Sequence, residues 1–212
     1  MPVENCLITV WCANTNGHAP QSEVDTLRRQ VDRYLSEPHE FICITESDLP
    51  GWWCKTQLFT TDNRYSRNLW LDLDVTITGA LDPLIVPLNG SQLRIAKNWA
   101  QSGWGGCQSS VMYWEGNSAQ VISDTFNRQD AHWPPRNDLW FSEGVPQWGD
   151  QEWITHLRNI GQLQAEYFDS AHVQSYKYHA RNGIPADCRV VVFHGKPKPS
   201  EVYDEWVMNC RR

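Results

Sequence analysis

Residues 7–45 carry an alternation that few architectures accommodate. Residues 7–12 (LITVWC) and 41–45 (FICIT) are short apolar runs of β-forming residues, and between them Val24, Leu27, Val31 and Leu35 recur at helical spacing. Apolar side chains three and four residues apart line one face of a helix, whereas short unbroken apolar runs suit strands covered on both faces. Ser22 stands where an N-cap is expected, with Asp25 three residues on, and Glu37-Pro38-His39 stops the helix. Two strands joined through a helix, with no hairpin turn between them, pair in parallel.

The rest of the chain extends the pattern. Residues 69–77 (LWLDLDVTI) read as a strand, with weaker strands at 85–88, 93–96 and 110–114 and a late buried one at 189–193 (RVVVF). Helices are expected after Asn117 or Ser118 with Ala119, Ile122 and Phe126 on one face, over 149–160, and over 200–208. Residues 128–147, rich in Trp, Pro, Asn and Asp, read as a long loop of the kind that often carries function. There is no internal repeat and no linker, so residues 1–212 are expected to form one domain: an α/β, Rossmann-like three-layer α/β/α sandwich with a mainly parallel central sheet. In open sheets of this type ligands collect beyond the carboxyl ends of the strands.

Composition narrows the functions. The formal charge is −7 with no long Lys/Arg run, so whole-surface attraction to nucleic acid is not expected, although a local basic groove is compatible with it. Seven scattered cysteines without CxxC pairs suit reduced thiols, and the start MPVENCLITVWC lacks the basic opening and apolar length of a secretory signal, so a cytoplasmic location is expected. No stretch approaches a membrane span. Twelve tryptophans are many; most should be core, but Trp52, Trp53, Trp99, Trp104 and Trp148 lie in Gly-rich or polar surroundings where a ligand platform is the alternative.

Charge inside the strand-like run at 69–77 asks for an explanation. On one strand Asp72 and Asp74 face the same way, opposite Leu71, Leu73 and Val75. Two adjacent carboxylates repel and are costly to bury, so a cation between them is expected, with Mg²⁺ or Mn²⁺ suited to hard oxygens; the plain alternative is a solvated strand end. The run NLWLDLDVTITGALDPL resembles the DxD strand of GT-A fold nucleotide-sugar glycosyltransferases, particularly family 8 and its small bacterial and phage relatives. Other segments resemble the same family in the same order: GWWCKTQLF with Lys55, CQSSVMYW with Gln108 where the family has Asn, GDQEW with Asp150-Gln151, and FHGKPKP, whose His194 and Gly195 are adjacent rather than separated.

That resemblance implies a metal-dependent glycosyltransferase acting with retention on a nucleotide-sugar donor, expected to be UDP-linked. Asp72, Asp74 and His194 would hold the metal, and the imidazole favours Mn²⁺ with Mg²⁺ as the alternative. Donor contacts would come from Val10, Trp11, Lys55, Asp72, Gln108, Ser109, Ser110, Gly195, Lys196 and Lys198, with Asp150 and Gln151 at the transferred sugar. For single residues plainer roles stay open: Trp11 as core, Lys55 as a solvated lysine, His194 as a strand-end histidine, Lys196 and Lys198 as an exposed turn, and Asp150 as a helix cap. The acceptor is open, a modified base in phage DNA being one specific version. An inactive nucleotide-sugar-binding module and a metal-dependent hydrolase or nucleotidyltransferase are the rival functions.

Overall fold

The structure, a computed structural model, describes residues 7–60, 67–99, 106–126 and 149–212. The opening unit is β1 (Ile8–Ala13), α1 (Gln21–Tyr34) and β2 (His39–Ile44), with β1 and β2 parallel as their crossover requires. After a 3₁₀ segment at Gly51–Phe59 come β3 (Arg67–Leu71), β4 (Val75–Ile77), β5 (Leu93–Lys97) and β6 (Cys107–Glu115). Helices α2 (Val121–Asp124) and α3 (Asp150–Asn159), strands β7 (Ala165–Tyr167), β8 (Val173–Ser175) and β9 (Val190–Val192), and helix α4 (Glu205–Arg211) complete the order.

Nine strands form two sheets among the described residues. The large sheet runs β2-β1-β3-β6-β5-β7, parallel at β2/β1, β1/β3 and β5/β7 and antiparallel where β6 meets β3 and β5. The small sheet runs β4-β9-β8, with β9 antiparallel to β4 and parallel to β8.

Strand alternation sorts side chains into two cores. Ile8, Val10 and Cys12 of β1, with Leu69 and Leu71 of β3, join Val24, Leu27 and Val31 of α1 and Val75, Val173, Val190 and Val192 of the small sheet. On the opposite face Trp70, Met112 and Trp114 pack with Trp53, Phe59 and with Trp153, Ile154 and Leu157 of α3. Helices therefore cover both faces of a mixed sheet, giving the expected three layers. No helix among the described residues is long and apolar enough to cross a membrane.

Four expectations change. Helix α1 starts at Gln21 behind Pro20 with no side-chain cap, so Ser22 is not the N-cap; Asp25 instead accepts a hydrogen bond from Gln21 (3.0 Å). Residues 85–88 are not a strand. The carbonyls of Leu84, Val86 and Pro87 accept from the Arg94 guanidinium and that of Ile85 from Arg67, which leaves none of them to a β-ladder. The C-terminal helix is split into a 3₁₀ turn at Pro199–Glu201 and α4 by extended backbone at Val202 and non-helical backbone at Asp204, whose carboxylate accepts from the Tyr176 hydroxyl at 2.9 Å. The run at 69–77 is two strands in different sheets, not one. The expected loop at 128–147 and Trp104 and Trp148 lie outside the described residues.

Trp53 is fully buried, so it belongs to the core rather than to a ligand platform. Replacing it with Ala is expected to lower unfolding free energy by about 3–5 kcal/mol, read from denaturant midpoints, as deletion of a buried ring removes transfer energy and leaves a cavity.

Candidate functional site

The two aspartates stand where the chain leaves one sheet for the other. β3 ends at Leu71, Asp72 N still donates to Ser110 O (2.9 Å), and Val75 N donates back to Asp72 O (3.3 Å), closing a turn over Leu73 and Asp74. β4 then starts in the small sheet, where Phe193 N donates to Asp74 O at 2.8 Å. The carboxylates are thus set by a turn rather than by strand alternation, and each has its own cation. Asp72 Oδ1 lies 2.9 Å from Lys55 Nζ and accepts from Trp70 Nε1 (2.8 Å). Asp74 Oδ2 accepts from Lys198 Nζ (2.7 Å), while its buried Oδ1 accepts no hydrogen bond. Burial, then repulsion by Asp72, pushes the Asp74 carboxyl above its ordinary range against the pull of Lys198.

Lys55 sits at the centre of a buried ion cluster. The 3₁₀ segment carries it inward, 5% exposed, to Asp72, to Asp150 Oδ2 (3.3 Å) and to Ser109, whose carbonyl and hydroxyl each accept at 3.3 Å. Burial alone would lower its pKa, but Asp150 and Asp72 together more than reverse this and hold the ammonium above its ordinary value. It is therefore charged and buried, not a solvated lysine.

A large bulge in β6 brings Ser109 to it. Ile95 is opposite Met112 but Ala96 is opposite Gln108, so residues 109–111 face nothing on β5. Bulges of this kind re-aim side chains beside functional sites. Gln108 is turned onto its own strand: its Nε2 donates to Ser110 Oγ (2.7 Å) and its Oε1 accepts from Ser110 N (2.9 Å).

Asp150 is the first residue of α3 and almost fully buried, and burial raises its pKa while Lys55 opposes that rise. Its approach depends on Gly149, where a Cβ would stand 2.6 Å from the Trp52 indole nitrogen. Gln151 does not join the cluster; its amide donates to Glu152 Oε1 (2.8 Å). Burial pushes the Glu152 carboxyl up to about 7, against that hydrogen bond from Gln151.

The small sheet supplies the other side of the site. β8 and β9 are parallel and β4 runs against β9, so the ends of β8 and β9 and the start of β4 share one edge. Asp74, His194-Gly195 and Ser175-Tyr176-Lys177 are gathered there. His194 Nε2 is 2.7 Å from Ser175 Oγ, and its ring is stacked between Trp99 (5.7 Å) and Tyr178 (5.9 Å). Burial first, then Lys177 and Lys198, lowers its pKa to about 4, so the imidazole is neutral at neutral pH. Gly195 has φ +76°, and a Cβ on it would meet Lys177 Nζ at 3.2 Å. Lys196 turns outward, 76% exposed and paired with Glu201, and does not face this edge. Val10 is sealed in the core, and Trp11 is partly buried with its Nε1 donating to Asn68 (3.0 Å).

Among the described residues no three His, Cys, Asp or Glu side chains converge as a ready metal cluster. Asp72 is held by Lys55 and Trp70, Asp74 by Lys198 and His194 by Ser175. The donor set nevertheless fits a hard divalent cation. Asp74 has a buried oxygen without a partner, an ammonium already stands at its other oxygen, and the imidazole is neutral. The sequence reading missed Trp70, Ser175, Lys177 and Tyr178; β8 is three residues long and carries no periodic signal. Trp99, which lies in polar surroundings in the sequence, stacks on His194.

No protein-family model matches the chain, and no curated protein sequence does. Solved structures do. The galactosyltransferase LgtC in complex with donor and acceptor sugar analogues is 12% identical, with a TM-score of 0.62 over 96% of this chain and 95% of LgtC. The glycosyltransferase GlyE of Streptococcus pneumoniae TIGR4 is 15% identical, with a TM-score of 0.63 over 98% of this chain and 60% of GlyE. A glycosyltransferase involved in glycosylation of the major capsid of PBCV-1 is 11% identical, with a TM-score of 0.59 over 92% of this chain and 96% of that one. At such identities the likeness establishes the fold, a GT-A-like α/β architecture.

Two outcomes are expected from the cluster. Lys55→Met leaves Asp72 and Asp150 without their cation and should destabilise the protein by about 3–5 kcal/mol in chemical unfolding. Glu152 has a folded-state pKa above its unfolded 4.5, so its stabilising contribution is present below that value and lost as pH rises through about 7. Glu152→Gln should therefore gain stability relative to wild type above that pH and little below 4.5, measured by unfolding across the pH range.

Proposed function

We propose that this chain is a glycosyltransferase that moves a sugar from a UDP-linked nucleotide-sugar donor to an acceptor hydroxyl, with retention, using Mn²⁺ or alternatively Mg²⁺. The observation that carries the reading is the turn between the two sheets: it holds two carboxylates, one with an unpartnered buried oxygen, and its Asp74 carbonyl accepts from the backbone of Phe193, next to the neutral imidazole of His194, in a fold shared with glycosyltransferases. Asp72, Asp74 and His194 would hold the metal, which supplies positive charge against the departing nucleoside diphosphate.

The chain's own groups divide the remaining work. Lys198 moves from Asp74 to a donor phosphate, and the Gly195 backbone approaches the same group. Lys55 bridges Asp72 and Asp150 and compensates their charge, so that Asp150, whose Oδ2 accepts no hydrogen bond, is left to meet sugar hydroxyls. The bulged Ser109 and Ser110, with Gln108 tied to Ser110, shape the sugar pocket. Gln151, next to Asp150, would turn from Glu152 toward the anomeric carbon; an active-site variant of LgtC carries glutamate in place of glutamine, which supports an active-site glutamine in this fold. The specific acceptor to test is a modified base in phage DNA, against a glycan.

A thermal-shift series with nucleoside diphosphates and nucleotide sugars, with and without Mn²⁺, tests the reading, because native-state ligands raise the melting temperature. Stabilisation by one donor that requires Mn²⁺ is the expected result, and Asp74→Ala should abolish it while leaving the protein folded. A folded Asp74→Ala variant with the full Mn²⁺-dependent shift would overturn the metal assignment. Product analysis separates the alternatives: free sugar marks a hydrolase, released pyrophosphate a nucleotidyltransferase, and donor binding without turnover a binding module.

A further inference from the structure

We propose that Lys177 is a further anion-binding residue of this site, placed to contact the donor diphosphate together with Lys198 and the Gly195 backbone. The inference rests on the donor-site reading above and adds a residue for which the sequence offers no motif.

The chain carries 25 acidic and 18 basic residues, so a lysine beside carboxylates is the ordinary outcome. Lys55 pairs with Asp72 and Asp150, Lys196 with Glu201 and Lys198 with Asp74. Lys177 is partly buried and, among the described residues, makes no ion pair and donates no hydrogen bond. Holding an ammonium partly out of water without a counter-charge is unfavourable, and an anionic ligand would relieve the cost.

Topology then says where that ligand lies. Lys177 follows directly on β8, and Gly195 follows on β9, its parallel neighbour; the ammonium stands 3.2 Å from where a Gly195 Cβ would be. Carboxyl ends of adjacent parallel strands are where open α/β sheets receive ligands. The left-handed Gly195, at φ +76°, keeps that approach clear of a side chain. Lys198 and Asp74 lie on the same edge, so a diphosphate there would meet two ammonium groups from different strands. Lys196, which the sequence nominated for this role, is spent on Glu201 at the surface.

The test is calorimetric titration of the metal-free full chain with inorganic pyrophosphate at low ionic strength. Wild type is expected to bind, and Lys177→Met to bind about tenfold more weakly or worse, the loss associated with one charge-assisted hydrogen bond. Lys177→Arg should restore most of the affinity, which a purely structural role for the side chain would not require. If Lys177→Met melts lower than wild type, Lys177→Gln takes its place in the comparison. Equal affinity in wild type and a folded Lys177→Met variant overturns the proposal, as does absence of pyrophosphate binding by wild type. In that last case Mn²⁺-dependent stabilisation by a nucleotide sugar shows that only Lys177 was misassigned; its absence removes the donor-site reading as well.

Discussion

The buried ammonium of Lys55 is the interaction on which the site depends. It meets Asp72 at the end of β3, Asp150 at the start of α3 and Ser109 in the bulge of β6, so one charge ties together three elements and the 3₁₀ segment that carries it. Removing a lysine head from water costs several kcal/mol, and the two carboxylates would each incur a similar cost alone. The arrangement is tolerable because the three charges compensate one another, Asp72 keeps part of its side chain in solvent, and Ser109 supplies further oxygens. Such a cluster adds little net stability compared with an apolar core, but it restricts how β3, β6 and α3 can meet.

A second constraint comes from the junction of the sheets. Asp72 closes its turn onto Val75, and the next strand pairs with β9 rather than extending β3. The carboxyl ends of β3, β8 and β9 thereby open toward one region, with Asp74 between them. Lys198 neutralises one oxygen of Asp74 and leaves the other without a partner, which is an incomplete solution for a buried carboxylate. The Trp99–His194–Tyr178 stack holds the imidazole beside it in a fixed plane.

The layers were legible because they rest on local periodicity. Val24, Leu27 and Val31 mark the buried face of α1, and β1 and β2 emerged within a residue or two of their expected bounds, since short apolar runs flanked by polar loops leave few alternatives. Residues 85–88 misled because their apolar character is real while their carbonyls belong to Arg94 and Arg67, donors remote in sequence or on another strand. β7 and β8 are three residues each, too short to show a period, and with β8 went any view of Ser175 and Lys177.

By itself the sequence determined the α/β class, the parallel opening unit and the acidic pair Asp72 and Asp74 inside an apolar run, because residue type and spacing act over a few positions; Asp150, His194 and Lys198 stood out only through the resemblance to a known family. Tertiary structure alone decided which of them meet. It separated Asp72 from Asp74 by a turn, gave Lys55 to one and Lys198 to the other, sent Lys196 to the surface and brought Lys177 to Gly195. Charge pairing is a long-range choice among many candidate partners, and only the packing of sheets against one another limits it to one outcome.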